Sequence, residues 1–211
     1  MLYRFGPRCK SLSAAAGLRI VNVGHVRAGD NSQMSRLLVM LLTVLLLSCE
    51  QSSTVDMVSP DVHQLAELGE TAPLIDAITA SGEVDQRDIC YRTPLMFAAQ
   101  FGRLDTVREL LAAGARVNLH EKGYYTALML AAGNGHSDVV RLLAEAGADV
   151  DEIEITRGWT ALIWAAKRGH VDTVAELLAL GASRDLRDQQ GRSALDWARI
   201  QREPAVVALL R

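Results

Sequence analysis

A short segment occurs four times between residues 93 and 198, at almost constant spacing. Its first copy, TPLMFAA, begins at Thr93, and related copies begin at Thr126, Thr160 and Ser193. The intervals are 33, 34 and 33 residues. A repeat of this length is one supersecondary unit that cannot bury its apolar face alone. The pattern therefore predicts a stack of similar units.

One period predicts two short helices followed by a turn. Thr93 caps the first helix, with Pro94 at its first position. The second helix runs from about Asp105 to Ala113, with apolar residues at helical spacing, and Gly114 provides a left-handed stop. Helices shorter than about 12 residues are marginal in water, so each must bury its apolar face on the next unit.

This unit closely resembles the ankyrin repeat, which has the same period and a TPLHxA signature. The resemblance covers residues 61–211 and implies an all-α ankyrin-repeat solenoid of helix-turn-helix units joined by β-hairpin-like tips. Three nearly complete repeats begin at Thr93, Thr126 and Thr160. Residues 61–82 resemble a degraded first repeat and residues 193–211 a truncated last one, as expected for capping repeats.

Two departures from the family pattern carry predictions. The signature His is absent from all four copies, and this absence predicts lower stability than that of an idealised array. The interval from Asp151 to Thr160 is nine residues, whereas the corresponding intervals in the other turns are eight. We therefore expect the third tip to protrude or bulge.

The front of the chain carries an apolar run, LLVMLLTVLLL, at residues 37–47 after Arg36. Its eleven residues are too few for a membrane-spanning helix, which needs about 20, but they suit the core of a secretory signal. We assign residues 34–48 to a signal peptide. A buried helix is the weaker alternative, because every face of this segment would be apolar.

The end of this run, Leu46-Leu47-Ser48-Cys49, resembles the lipobox of bacterial lipoproteins. The resemblance implies cleavage before Cys49 and lipidation of its thiol, and Glu50 then favours the outer membrane, with the protein facing the periplasm. The sequence alone leaves the inner membrane open. An ordinary signal peptide with an incidental Cys49 is the alternative, and it would give a soluble periplasmic protein.

Two flanking segments complete the organisation. Residues 1–33 precede a complete signal start at Met34, so we interpret them as a misassigned upstream start or a disordered extension; their Arg-rich composition also suits a transit peptide. Residues 49–60 are predicted to be the lipidated cysteine and a polar tether, and residues 61–211 the repeat domain.

Charge restricts the class of partner. Residues 1–49 carry six Lys or Arg against one Asp, so the net charge of −3 leaves −8 on the remainder. An acidic folded region is unsuited to nucleic acid, which rewards an excess of Lys and Arg. We also expect no cofactor, because the sequence shows no phosphate-binding loop or catalytic motif, and no metal, because its cysteines follow no zinc-ligand spacing.

Ankyrin arrays generally bind proteins through their tips and the inner face of their first helices, so the resemblance implies a protein partner for a monomeric module. The tips carry aromatic residues among charged ones such as Glu154 and Asp188. Tyr, Trp and Arg are the residue types that anchor interfaces. The predicted protein-binding residues are Tyr91, Tyr124, Tyr125, Arg157 and Trp159 on the tips, and Phe101 and Arg168 at first-helix ends. In the alternative, Tyr91, Tyr124 and Trp159 only cover the adjoining repeat.

Other notable residues receive structural assignments. His136 and His170 occupy the family's Gly-His turn, where the resemblance implies that the ring supports the loop, and His63 has no partner for a metal site. Trp164 and Trp197 recur in register and are expected between repeats. Cys90 is a reactive thiol, a thiol that pairs between chains, or a semi-buried thiol beside Tyr91.

We therefore expect a non-enzymatic, membrane-anchored module that binds an envelope or secreted protein, possible roles being an immunity protein or other inhibitor. The alternative is an assembly or protective factor for a periplasmic enzyme, for example in oxidative-stress defence. An enzyme with an unrecognised site is a third, weaker hypothesis.

Overall fold

A computed structural model describes residues 61–211, and the predictions for the signal segment, Cys49 and the tether lie outside this range. The described chain forms ten helices and one isolated antiparallel bridge, between His120 and Thr126. None of these helices has the length and apolar character needed to cross a membrane. The helices are α1 Val62–Leu68, α2 Thr71–Ser81, α3 Pro94–Gln100, α4 Leu104–Ala112, α5 Ala127–Asn134, α6 Ser137–Glu145, α7 Ala161–Arg168, α8 Val171–Ala179, α9 Ala194–Gln201 and α10 Pro204–Leu210.

The first helix of each pair from α3 onward begins at the residue that the repeat predicts. The hydroxyl of the capping Thr or Ser accepts a hydrogen bond from the backbone N–H three residues later, which satisfies an otherwise unpaired donor. At Ser193 the Asp196 carboxylate also accepts from the Ser193 N–H, which completes a capping box. The predicted starts at Thr93, Thr126, Thr160 and Ser193 are therefore confirmed.

The helices form two layers. The first helices α1, α3, α5, α7 and α9 pack in succession, and the second helices α2, α4, α6, α8 and α10 do the same. Equivalent apolar residues of the three middle repeats are fully buried between these layers: Leu95, Leu128 and Leu162; Val107, Val140 and Val174; Leu110, Leu143 and Leu177. Burying each such side chain contributes about 1.5 to 3 kcal/mol, so the stack supplies the stability that single helices lack.

Histidines link neighbouring repeats. His136 donates from Nε2 to the Gln100 carbonyl at 3.1 Å, and His170 donates to the Gly133 carbonyl at the same distance. The expected supporting role of both rings is confirmed. His63, for which the sequence offered no partner for a metal site, lies 2.9 Å from Asp61 Oδ1 through Nδ1 and 3.0 Å from the Gln86 carbonyl through Nε2.

Candidate protein-binding surface

The four connections between helix pairs are the tips, numbered here in chain order: residues 82–93, 113–126, 146–160 and 180–193. In each tip an acidic residue donates its backbone N–H across a tight turn, to the carbonyl of the residue just before the next Thr or Ser cap. These hydrogen bonds are 2.9 to 3.2 Å long: Asp88 to Arg92, Glu121 to Tyr125, Glu154 to Trp159, and Asp188 to Arg192. The tips are therefore four versions of one hairpin-like turn.

The carboxylate of each acidic residue holds its own turn. Asp88 Oδ1 accepts from the backbone N–H groups of Cys90 and Arg92, both at 2.8 Å. Glu154 is fully buried and accepts from the N–H groups of Thr156 and Arg157, as well as from the Thr156 hydroxyl. Glu154 and Asp188, which the sequence places among the charged residues of the tips, are buried because their oxygens are directed inward to satisfy backbone donors. Aligning the four tips in register would have revealed this recurring position.

The same turn requires left-handed backbone at its third position after the acidic residue in tips 1, 2 and 4, and at the fourth in the longer tip 3. Gly158 and Gly191 occupy it in tips 3 and 4, with φ of 75° and 74°. Tyr91 and Tyr124 occupy it in tips 1 and 2, with φ of 62° and 61°. A bulky residue in this conformation is unusual and costs about 1 kcal/mol or more. Such strain marks both tyrosines as candidates for function.

Both tyrosine rings are accessible, Tyr91 with 49% and Tyr124 with 44% of its surface exposed. Ile89, which sequence reasoning missed, is 67% exposed on the same tip as Tyr91. Tips 1 and 2 are joined by a 3.0 Å hydrogen bond from the Lys122 N–H to the Cys90 carbonyl, and Lys122 Nζ lies 5.1 Å from the Tyr91 ring centroid. We call Ile89, Tyr91 and Tyr124 the tyrosine edge.

A second aromatic group lies across the last three repeats. Its members pack with ring centroids 4.9 Å apart between Tyr125 and Trp164, 6.2 Å between Trp164 and Trp159, and 5.9 Å between Trp159 and Trp197. We call these four residues the aromatic ladder. Gly133 on α5 makes room for it, because a Cβ at that position would lie 2.6 Å from the Trp164 ring. The expected placement of Trp164 and Trp197 between repeats is confirmed.

The ladder changes the interpretation of Trp159, which is only 9% exposed. The expectation of an accessible anchor on a protruding tip was wrong for this ring. The extra residue of tip 3 enlarges the turn between Glu154 and Trp159, so the Trp159 ring stays in register with Trp197. Ile155 lies within the enlarged turn and is exposed instead.

Cations cover the ladder. Lys167 Nζ lies 4.2 Å from the Trp159 centroid and 4.3 Å from the Trp197 centroid, and Arg157 Cζ lies 4.8 Å from the Trp159 centroid. Arg192 lies 3.9 Å above Trp197 and Arg168 lies 5.8 Å from Trp164. Arg157 also donates to the Tyr125 hydroxyl at 2.7 Å. Burial raises the pKa of Tyr125, and the neighbouring Glu154 carboxylate acts in the same direction, so this phenol remains neutral at physiological pH.

The structure thus divides the predicted binding residues between two places. Tyr91 and Tyr124 belong to the tyrosine edge, whereas Tyr125, Arg157, Trp159 and Arg168 form or cover the aromatic ladder. Phe101 is the C-cap of α3 and is 39% exposed. Their roles in binding stay predictions. Cys90 is disulfide-bonded in the structure.

Comparison with known proteins gives one result that bears on the surface. A family model described as ankyrin repeats matches residues 62–154 and 149–211. Together these ranges cover all ten described helices. No curated protein matches the chain.

Proposed function

Since the chain belongs to the ankyrin-repeat family, whose members are generally non-enzymatic protein-interaction modules, we propose that it binds one envelope or secreted protein through its tips. The tyrosine edge is the proposed docking site. Phe101 and the cations over the aromatic ladder extend this surface toward the first helices.

One observation carries the proposal. Tyr91 and Tyr124 are exposed and adopt left-handed backbone that tips 3 and 4 give to glycine. Neither ring gains full burial from this arrangement, so stability of the free protein does not account for the strain. A rigid aromatic side chain held in an exposed position supplies large contact area at low entropic cost, as interface anchors do.

We place the module in the bacterial cell envelope, as an outer-membrane lipoprotein anchored through Cys49 and facing the periplasm. The support is the signal core at residues 37–47 followed by the lipobox-like Leu46-Leu47-Ser48-Cys49. The polar segment at residues 50–60 would allow the repeats to extend at most about 36 Å from the anchor. Replacing Cys49 with Ala should abolish incorporation of labelled fatty acid and release the protein from the membrane fraction. Persistent labelling would contradict the lipid anchor.

The role that we favour is neutralising inhibition, such as that of an immunity protein against a toxin delivered into the envelope. An acidic module with an apolar edge can cover a partner's active surface without catalysis of its own. Adding the purified protein to the captured partner should suppress the partner's activity. A higher yield of active partner, with no inhibition, would instead favour an assembly factor.

Capture from envelope extracts tests the docking site. Tyr124→Ala should reduce the amount of captured partner sharply, since loss of an interface anchor costs about 2 kcal/mol or more. Leu68→Ala is the matched control, because Leu68 is also a large, exposed apolar side chain but belongs to α1. Equal capture by the wild type and both variants would contradict the proposed site.

A further inference from the structure

The cations over the aromatic ladder belong to a face made by tips 3 and 4 with helices α7 and α9. We propose that this face binds an acidic segment of the partner protein, whose carboxylates contact Arg157, Lys167 and Arg192. The inference rests on the proposed function, because it names the chemistry of one part of the same partner.

Charge at this face differs from that of the whole molecule. The acidic residues that begin the hairpin-like turns of tips 3 and 4, Glu154 and Asp188, are both buried. The other acidic residues of these tips precede the turns: Asp149, Asp151, Glu152 and Asp185. Asp188 accepts from the N–H groups of Gln190 and Arg192 and from Trp197 Nε1, each at 2.9 Å. The Glu154 carboxylate is held by its own turn, and the Asp188 carboxylate is held by its turn, by Trp197 and by an ion pair with Arg192 at 3.3 Å. The charged side chains that lie over the ladder rings are all cationic although the chain as a whole is acidic.

Lys167 is the centre of this positive charge. Its Nζ lies between two tryptophan rings, and in the described part of the chain it has no carboxylate within ion-pair distance. Burial lowers the pKa of Lys167, and repulsion from Arg157, Arg192 and Arg168 lowers it further. A carboxylate placed against this ammonium would relieve the repulsion, so the geometry favours an anionic ligand.

The ligand is a protein carboxylate rather than a nucleic acid. A single-stranded nucleic acid would need exposed rings for base stacking, yet Trp159 and Trp197 are buried under the cations. The acidic remainder of the molecule would also repel a long polyanion. A short acidic peptide avoids both problems, and Arg guanidinium groups match carboxylates in bidentate geometry.

Fluorescence anisotropy with a labelled peptide of alternating Glu and Ser tests the proposal on the full-length protein. The control peptide carries Gln in place of Glu. We expect the Glu peptide to bind at least about tenfold more tightly, which corresponds to about 1.4 kcal/mol. Lys167→Met should remove most of this preference while retaining an apolar stem over the rings, and Lys167→Arg should preserve it.

Arg108→Gln provides the surface-charge control, since Arg108 is exposed on α4. Equal affinity for the two peptides, or equal loss in Arg108→Gln and Lys167→Met, would overturn the proposal. Single-stranded DNA that binds as tightly as the Glu peptide would also overturn it. If the captured partner loses affinity for Tyr124→Ala but not for Lys167→Met, the proposed function stands and the acidic-segment inference fails.

Discussion

Tips 1 and 2 differ from tips 3 and 4 in the residue at the left-handed position of the turn. All four tips need left-handed backbone there, but the first two have Tyr91 and Tyr124 and the last two have Gly158 and Gly191. In the later repeats Trp159 and Trp197 lie instead in the aromatic ladder, where both are buried. The turn thus fixes the backbone and leaves the side chain to other requirements. In tips 1 and 2 this position carries an exposed ring. In tips 3 and 4 it carries glycine, and the nearby Trp159 and Trp197 rings pack beneath a layer of cations.

The largest loss of stability should come from substitution of the buried tryptophan of tip 3. Trp159→Ala removes a buried side chain between Trp164 and Trp197 and should destabilise the fold by about 3 to 5 kcal/mol. Tyr124→Ala removes an exposed ring and should change the free energy of unfolding by no more than about 0.5 kcal/mol. Chemical denaturation measures both values. Equal losses of unfolding free energy in the two variants would contradict the distinction between the buried Trp159 ring and the exposed Tyr124 ring.

A smaller effect is expected at the left-handed glycines of tips 3 and 4. A Cβ at Gly158 would lie 3.0 Å from the Gln189 backbone nitrogen, whereas a Cβ at Gly191 would have no atom within 4 Å. Gly191→Ala should therefore cost only the backbone strain, about 1 kcal/mol, and Gly158→Ala should cost more, up to about 3 kcal/mol. If thermal unfolding shows equal losses, the close approach of tips 3 and 4 is not rigid.

The acidic turn residues should give pH effects of opposite sign. Burial would raise the pKa of Asp188, but hydrogen bonds from Arg192, Trp197 and Gln190, with the Arg192 charge, lower it below the ordinary value of 3.8. Its stabilisation is therefore present above that value and is lost as pH falls through the folded-state pKa. Asp188→Asn should show less of this acid-induced loss in unfolding midpoints measured across acidic pH.

Glu121 should behave in the opposite way. Burial raises its pKa above the ordinary value of 4.5, and hydrogen bonds from Gly123 and Tyr125 offset this only in part. Its contribution is fully present below pH 4.5 and is lost as pH rises through the folded-state pKa. Relative to Glu121→Gln, the wild type should therefore gain stability as pH falls. The same sign of change for both positions would contradict these assignments.

The helix pairs could be predicted from the sequence because their determinants are local and repeated. The cap at Thr126, the glycine at Gly135 and the linking His136 all lie within one period. The burial of Trp159 could not be predicted in this way, because it depends on Trp197 in the next repeat and on the extra residue of tip 3. From the sequence, Tyr91 and Tyr124 could be predicted only as aromatic binding candidates. Their left-handed backbone became apparent only in the structure, where Gly158 and Gly191 occupy the equivalent positions.

The central claim is that the tyrosine edge is shaped for binding rather than for stability. Its most direct test is isothermal titration of the captured partner into the Tyr91→Gly/Tyr124→Gly double variant, together with the thermal unfolding midpoint. Glycine relieves the backbone strain and removes both rings. We predict an affinity loss of about thirtyfold or more, equivalent to about 2 kcal/mol, with an unfolding midpoint that is unchanged or higher. Wild-type affinity, or a loss of affinity that merely accompanies a large fall in the midpoint, would contradict the account.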